Sequence, residues 1–255
     1  MQNVTLMSIP QIPHVQKGDN LAELLLEALT KAEISLQDGD VIAIAQKIVS
    51  KAEGRMVHLK DVTVSPQAMQ LATEVDKDPR LVELILQESD EISRKKTHIL
   101  IVRHRLGFTS ANAGIDMSNV APETDGEIAL LLPKDPDKSA QQLRDALQNA
   151  FGVDVGIVIT DSHGRPFRLG TVGVAIGVAG VPALWDRRGE HDLYGYKLQH
   201  TEVGVADEIA AAAGLLMGQA AEGNPVILIR GLTYPTINGK ASDLIRPKEM
   251  DLYRQ

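Results

Sequence analysis

Six short runs of Val, Ile, Leu and Ala do most to limit what this chain can fold into. They lie at Val4 to Ile9, Val41 to Ala45, Ile99 to Val102, Ile128 to Leu132, Val155 to Ile159 and Val226 to Ile229. Runs of this length, rich in β-branched residues, read as strands. Between them lie amphipathic segments. From Asn20 to Ala32, Leu21, Leu24, Leu25, Ala28, Leu29 and Ala32 keep to one helical face, with Asp19 as the expected cap. Ser65 before Pro66 and Asp78 before Pro79 each set a capping oxygen ahead of a proline suited to the first turn. Further helices are expected from Ser139 to Asn149 and, in an alanine-rich stretch, from Val205 to Met217.

Strands and helices mix without strict alternation, so the expected fold class is α+β. It comprises a mixed-sheet core and a second, intimately connected lobe. Residues 1–85 with 150–255 are expected to form the core and 86–149 the lobe, within one functional unit spanning 1–255. The connections Arg103 to Glu127 and Arg187 to Glu202 are long and polar, and such loops are usually functional.

Composition removes several function classes. The chain has no Cys, which excludes disulfides, thiolate metal sites and a cysteine nucleophile, and a cytoplasmic protein is the simplest expectation. Only 3% of residues are aromatic and the net charge is -8, so neither stacked single strands nor phosphate backbones are expected partners. The uncharged run Leu169 to Trp185 is just short of a membrane span and carries Gly170, Gly173, Gly177 and Gly180; it reads as buried backbone. Met1 to Ser8 lacks a signal-peptide pattern.

Walker-type, dinucleotide-binding, metalloprotease and nucleophile-elbow motifs are all missing. Four segments carry chemistry instead. In Val155 to Arg168, an apolar strand gives way to Asp161, Ser162 and Gly164, with Arg165 and Arg168 available for an anion. Read alone, the segment fits an ordinary Asp-Ser-His-Gly turn at least as well. Asn112 to Asn119 offers Asp116, a sensible partner for Asp161 around a hard cation, or simply turn and cap residues. Ser50 to Arg55 supplies Lys51 and Arg55 around a glycine, for a phosphate or as a solvated turn after a strand. Met217 to Gly223 ends the alanine-rich helix at Gly218 and offers Gln219 and Glu222. Together these residues suit metal-assisted phosphoryl or acyl-phosphate chemistry.

At the same segments the sequence resembles the coenzyme F-420-0:γ-glutamyl ligase family. The matching stretches are Pro10 to Val15, SKAEGR at Ser50 to Arg55, NAGIDMSN at Asn112 to Asn119, LLLPKDPDKSA at Leu130 to Ala140, ITDSHGRPFR at Ile159 to Arg168, DLYG at Asp192 to Gly195 and VADEIAAAAGLLMGQ at Val205 to Gln219. The resemblance implies a GTP-dependent ligase that phosphorylates a carboxylate of the deazaflavin coenzyme precursor. The amine of L-glutamate then displaces phosphate, and later rounds extend a γ-linked tail.

It also implies two divalent cations, Mn2+ or Mg2+, a K+ effect and a homodimer. By position, Asp116 and Asp161 match ligands of the first cation. Ser162 and Gln219 match ligands of the second, although neutral groups bind hard cations more weakly than carboxylates do. Nucleotide contacts match Ile12, Pro13, His14, Val15, Lys51 and Asn119. They also match the stretch Met217, Gly218, Gln219, Ala220, Ala221, Glu222, Gly223 and Asn224. Gln46 and Lys47 stand at nucleotide positions where some members carry small hydroxyl residues. Lys51 and Arg165 would neutralise the transferring phosphoryl group as catalytic residues. Some members carry a further flavin-reductase-like domain; with its last residue at Gln255, this chain is expected to lack that activity. The competing readings are a metal-dependent phosphohydrolase and a non-catalytic nucleotide- or deazaflavin-binding module.

Overall fold

The computed structural model describes residues 3–120 and 127–251, so positions 121–126 of the long 103–127 connection lie outside the described residues. In chain order the elements are β1 (Thr5–Ser8), α1 (Leu21–Lys31), β2 (Val41–Ala45), α2 (Gln46–Ala52), β3 (Met56–His58), α3 (Pro66–Val75), α4 (Pro79–Gln87), β4 (Ser89–Lys96), β5 (Ile99–His104), β6 (Thr109–Ala111), β7 (Ile128–Leu130), α5 (Pro136–Phe151), β8 (Gly156–Arg165), β9 (Arg168–Ala179), β10 (Trp185–Asp186), β11 (Glu202–Val203), α6 (Val205–Met217) and β12 (Val226–Arg230). All six apolar runs are strands, and the class is α+β with mixed sheets.

The central sheet has the order β1-β12-β2-β8-β9. β2 and β8 pair in parallel, while β12 runs antiparallel to both β1 and β2. It follows that β1, β2 and β8 all point the same way. Their continuations, and the chain entering β12, therefore meet at one end of the sheet.

Period-two alternation sends Ile157 and Ile159 to one face, where Leu25 and Leu29 of α1 and Leu143 and Leu147 of α5 cover them. Val158 and Ala175 face the other way, under Ile209, Ala210 and Ala213 of α6. Burying each large aliphatic side chain contributes roughly 1.5–3 kcal/mol, so these two layers dominate stability. The glycines of the uncharged run make the layers possible. A Cβ on Gly173 would lie 2.3 Å from the Ala210 carbonyl oxygen, and one on Gly177 would lie 2.5 Å from that of Pro136. β9 thus admits α6 on one face and α5 on the other.

A smaller three-stranded sheet, β4-β5-β6, packs with α3 and α4 around Leu71, Val75, Val82, Ile85, Leu100 and Val102. The Ser65 and Asp78 caps form as expected, and Asp135 before Pro136 repeats the device for α5. Such caps stabilise a helix by about 1 kcal/mol each.

Four local expectations are corrected. Asn20, not Asp19, caps α1; Asp19 instead accepts a bond from the Gln16 amide. The Ser50 to Arg55 segment is not a turn leaving a strand, because β2 passes directly into α2 and Lys51 sits in its last turn. The strand beginning near Val155 does not end before Asp161 but runs on to Arg165, zipped to β9 as far as the 165–168 turn. The uncharged run is not buried throughout: Leu169, Gly170 and Thr171 at its start are exposed where β9 leaves the core towards Arg168, while the rest is buried or half-buried as expected. Among the described residues no helix is long and apolar enough to cross a membrane.

Candidate active site

The ligand-bearing segments gather where the topology brings strand ends together. Ala45 of β2 pairs with Thr160 of β8, so Gln46 begins α2 beside Asp161. Ile9 donates its amide to the Val226 carbonyl, and Ala45 donates to that of Pro225, which brings the Ile12 to Val15 loop and the 217–224 connection to the same end. Ligands of open sheets bind in this kind of crevice, outside the carboxyl ends of parallel strands.

Asp116 reaches the crevice from the smaller sheet. Asn112, Ala113 and Gly114 all have positive φ, and buried Ala113 in that conformation costs on the order of 1–2 kcal/mol. The turn swings the chain so that Asp116 exchanges backbone bonds of 3.0 and 2.8 Å with Leu130. Its side chain then accepts from Gln46 Nε2 at 2.9 Å, while Gln46 Oε1 accepts from Ser50 Oγ at 2.9 Å. Gln46 is buried and engaged at both ends of its amide, so it serves to orient Asp116. Lys47 Nζ stands 3.4 Å from the same Asp116 oxygen and donates to the Ser118 carbonyl at 3.0 Å.

Burial raises the Asp116 pKa above the ordinary carboxylate value; Lys47 opposes this and the negative charge of Asp161 adds to it. The fold thus brings the two carboxylates into electrostatic contact. Lys51 donates to the Asn119 carbonyl at 2.7 Å, and burial together with the Lys47 charge lowers its pKa. Asn119 Nδ2 in turn donates to Ala220 O at 2.8 Å, tying the Asp116 loop to the far side of the crevice.

Past Gly218, which ends α6, the chain folds around a carboxylate. Glu222 accepts from the Ala220 amide at 2.8 Å, and the amides of Glu222 and Gln219 also lower its pKa. Converging backbone amides of this kind form an anion-binding concavity. Asn224 closes the loop by donating to Leu216 O at 3.2 Å and accepting from Ser8 Oγ at 3.0 Å.

Strand geometry separates residues that adjoin in sequence. Asp161, His163 and Arg165 are half-buried along β8, whereas Ser162 and Gly164 between them are exposed. Ser162 pairs with Gly173, which lies against α6, so Ser162 belongs to the α6 side and Asp161 to the α5 side. Gln219, just beyond α6, is exposed. Arg165 lies four residues, about 13 Å, further out along the strand, and it donates to Leu169 O at 3.2 Å.

His163, singled out by no motif, touches the site directly: its Nε2 is 2.9 Å from Asp161 Oδ2. Phe108 packs on the His163 ring at 4.9 Å and stacks on His104 at 5.2 Å. Glu88 lies behind His104 and binds Arg55 and Arg105 at 2.7 and 2.8 Å. An i,i+2 spacing along a strand is the signal that would have paired His163 with Asp161.

Among the described residues, no three His, Asp or Glu side chains form a metal cage. The donor set is still suited to a hard divalent cation, which commonly takes one or two carboxylates and completes its shell with water and substrate phosphates. Two mutually repelling, half-buried carboxylates fit that pattern.

A family profile described as F420-0:Gamma-glutamyl ligase matches residues 10–231. The Coenzyme F420:L-glutamate ligase of Methanothermobacter thermautotrophicus is 47% identical, covering 98% of this chain and 99% of that protein. The protein of the same name from Methanocaldococcus jannaschii is 44% identical over 96% and 94% of the two chains. That of Methanopyrus kandleri is 47% identical over 96% of each.

Proposed function

The chain belongs to the F420-0:gamma-glutamyl ligase family, and from that membership we propose that it is a GTP-dependent ligase joining L-glutamate to the deazaflavin coenzyme precursor. One observation carries the reading. Asp116, Asp161, Lys47, Lys51 and the amide-lined 219–222 loop converge at the single sheet end where three parallel strands finish.

In the reaction, a carboxylate oxygen of the precursor attacks the γ-phosphorus of GTP and the bond to GDP breaks. The glutamate amine then attacks the acyl carbon, gives up a proton, and expels phosphate. A Mn2+ or Mg2+ ion held by Asp116 and Asp161 would neutralise phosphate charge and polarise the reacting oxygens. Gln46 fixes the Asp116 carboxylate and His163 that of Asp161. Lys47 and Lys51 supply positive charge beside the phosphates, and the 219–222 amides offer donors to one of them. Arg165 stands further out on the β8–β9 arm and suits an anionic part of the substrate better than the transferring group.

A second cation at Ser162 and Gln219, a K+ effect and further rounds of glutamylation remain part of the proposal. So does a homodimer, which the exposed Phe167, Leu169, Leu193 and Tyr194 favour.

Asp161→Ala and Asp116→Asn test the reading. Each should keep the fold and lose about 3 kcal/mol of transition-state stabilisation, a factor of 100 or more in turnover. GTP-dependent glutamate incorporation at the normal rate in either variant would contradict it.

A further inference from the structure

The two carboxylates of the site are oriented from opposite lobes. Asp116 follows the smaller sheet, yet its partner Gln46 opens α2, directly after β2 of the central sheet. Asp161 lies on β8 of the central sheet, and its partner His163 is backed by a ring from the smaller one. That ring is Phe108, in the turn between β5 and β6, and it packs into the core layer shared with α1 and α5. Three bonds fix the turn: His104 N–H donates to Phe108 O at 2.8 Å, Gly107 N–H to His104 O at 2.8 Å, and Leu106 N–H to His104 Nδ1 at 3.0 Å. Its base is anchored by buried Glu88, whose carbonyl accepts from the Arg105 amide at 3.0 Å and whose carboxylate binds the Arg105 guanidinium at 2.8 Å. The His104 ring stacks on that of Phe108 at 5.2 Å and 7°, and His163 meets Phe108 at 4.9 Å and 52°. Stacked and tilted pairs at such distances are the arrangements that aromatic rings favour.

An imidazole beside a carboxylate is free to turn unless something holds its ring. The χ2 well is broad, and a half-turn about Cβ–Cγ would replace the Nε2–H facing Asp161 by a carbon. His163 stands on the part of β8 that extends past its last pairing with β2, at Thr160, so the restraint has to come from another element. We propose that Phe108 is a positioning residue of the cation site: it carries the rigidity of the smaller sheet to His163, and through it to Asp161. The proposal rests on the ligase reading above, in which Asp116 and Asp161 hold a divalent cation. It accounts for a chain with only three Phe setting one of them between two imidazoles. Each lobe thus holds the other's carboxylate, and the docking of the two sheets sets how the two ligands face one another.

In the test, Mn2+ alone is titrated calorimetrically into wild type, Phe108→Leu, His163→Ala and the double variant. Leu keeps apolar bulk against the imidazole but offers no flat ring. Phe108→Leu should weaken Mn2+ binding about tenfold, the lower end of what groups that orient metal ligands are worth. In the His163→Ala background the same substitution should change the affinity by less than about twofold, because the residue it acts through is gone. His104→Gln, one ring further back, keeps the experiment readable if Phe108→Leu folds poorly. It should cost about threefold with His163 present and nothing with His163 removed. Equal losses in the two backgrounds would show that the ring only supports the fold, and would overturn the proposal. So would undiminished Mn2+ binding in Phe108→Leu and His104→Gln. Both outcomes leave the cation site itself standing. Wild type that binds no Mn2+ would instead overturn the cation site, and the proposal with it.

Discussion

His163 Nε2 lies 2.9 Å from Asp161 Oδ2, and both side chains are only 11% exposed. The imidazole is held from behind by Phe108, and that ring by His104. Asp161 thus has one oxygen fixed by a rigid donor, while the other can face a cation and phosphates. Groups that orient a ligand in this way typically matter by 10–100-fold in metal affinity or activity. His163→Ala should weaken Mn2+ binding, measured by calorimetry without substrates, and lower turnover within that range. His163→Gln, which retains an N–H donor, should recover most of both. Equal losses in the two variants would mean that the ring only fills space.

Glu88 makes a pH prediction. Burial alone would raise its pKa, yet the His104 ring, Arg55 and Arg105 together hold it down at about 2. Leu106 N–H donates to His104 Nδ1 at 3.0 Å, so the His104 proton resides on Nε2, 3.6 Å from Glu88. A carboxylate with a depressed folded pKa adds stability above its ordinary value, 4.5 here, and loses that contribution as pH falls towards about 2. The contribution is roughly 3 kcal/mol. Urea unfolding across that range should show wild type losing this amount relative to Glu88→Gln. The variant itself should be less stable at neutral pH by about 3–5 kcal/mol, because two guanidinium groups lose a buried partner. Parallel pH profiles would contradict the assignment.

Glu222 occupies the amide-lined loop with its own carboxylate, where the proposal seats a nucleotide phosphate. Two anions cannot share those donors. Glu222→Gln should therefore bind GTP more tightly by a few-fold in equilibrium titrations. Weaker binding in this variant would show that the carboxylate helps to hold the nucleotide or its cation.

The sequence made the frame of this molecule legible because six of its strands are short apolar runs and α3 and α4 start at Ser-Pro and Asp-Pro pairs; the like pair at Asp135 and Pro136 starts α5 three residues ahead of the expected Ser139. Asp116 and Asp161 were legible as chemistry but not as neighbours. Their approach depends on the parallel pairing of β2 with β8 and on a left-handed turn at Asn112 to Gly114. The outer half of β8 was hidden because Asp, Ser, His and Gly favour turns locally, and only pairing with β9 keeps them extended. With that strand unseen, the shared face of Asp161 and His163 was unseen as well. β4 was missed because Ser89 to Lys96 is a mostly charged edge with no apolar alternation. α2 was missed because no side chain caps its start.

Product mass tests the ligase assignment most directly. The purified protein is incubated with glutamate-free deazaflavin coenzyme, L-glutamate, GTP and Mn2+, alongside mixtures that each omit one component. The expected result is a coenzyme heavier by one glutamyl residue, formed with GDP and phosphate only in the complete mixture. Release of phosphate from GTP at the same rate without coenzyme or glutamate, and with no glutamylated product, would contradict it.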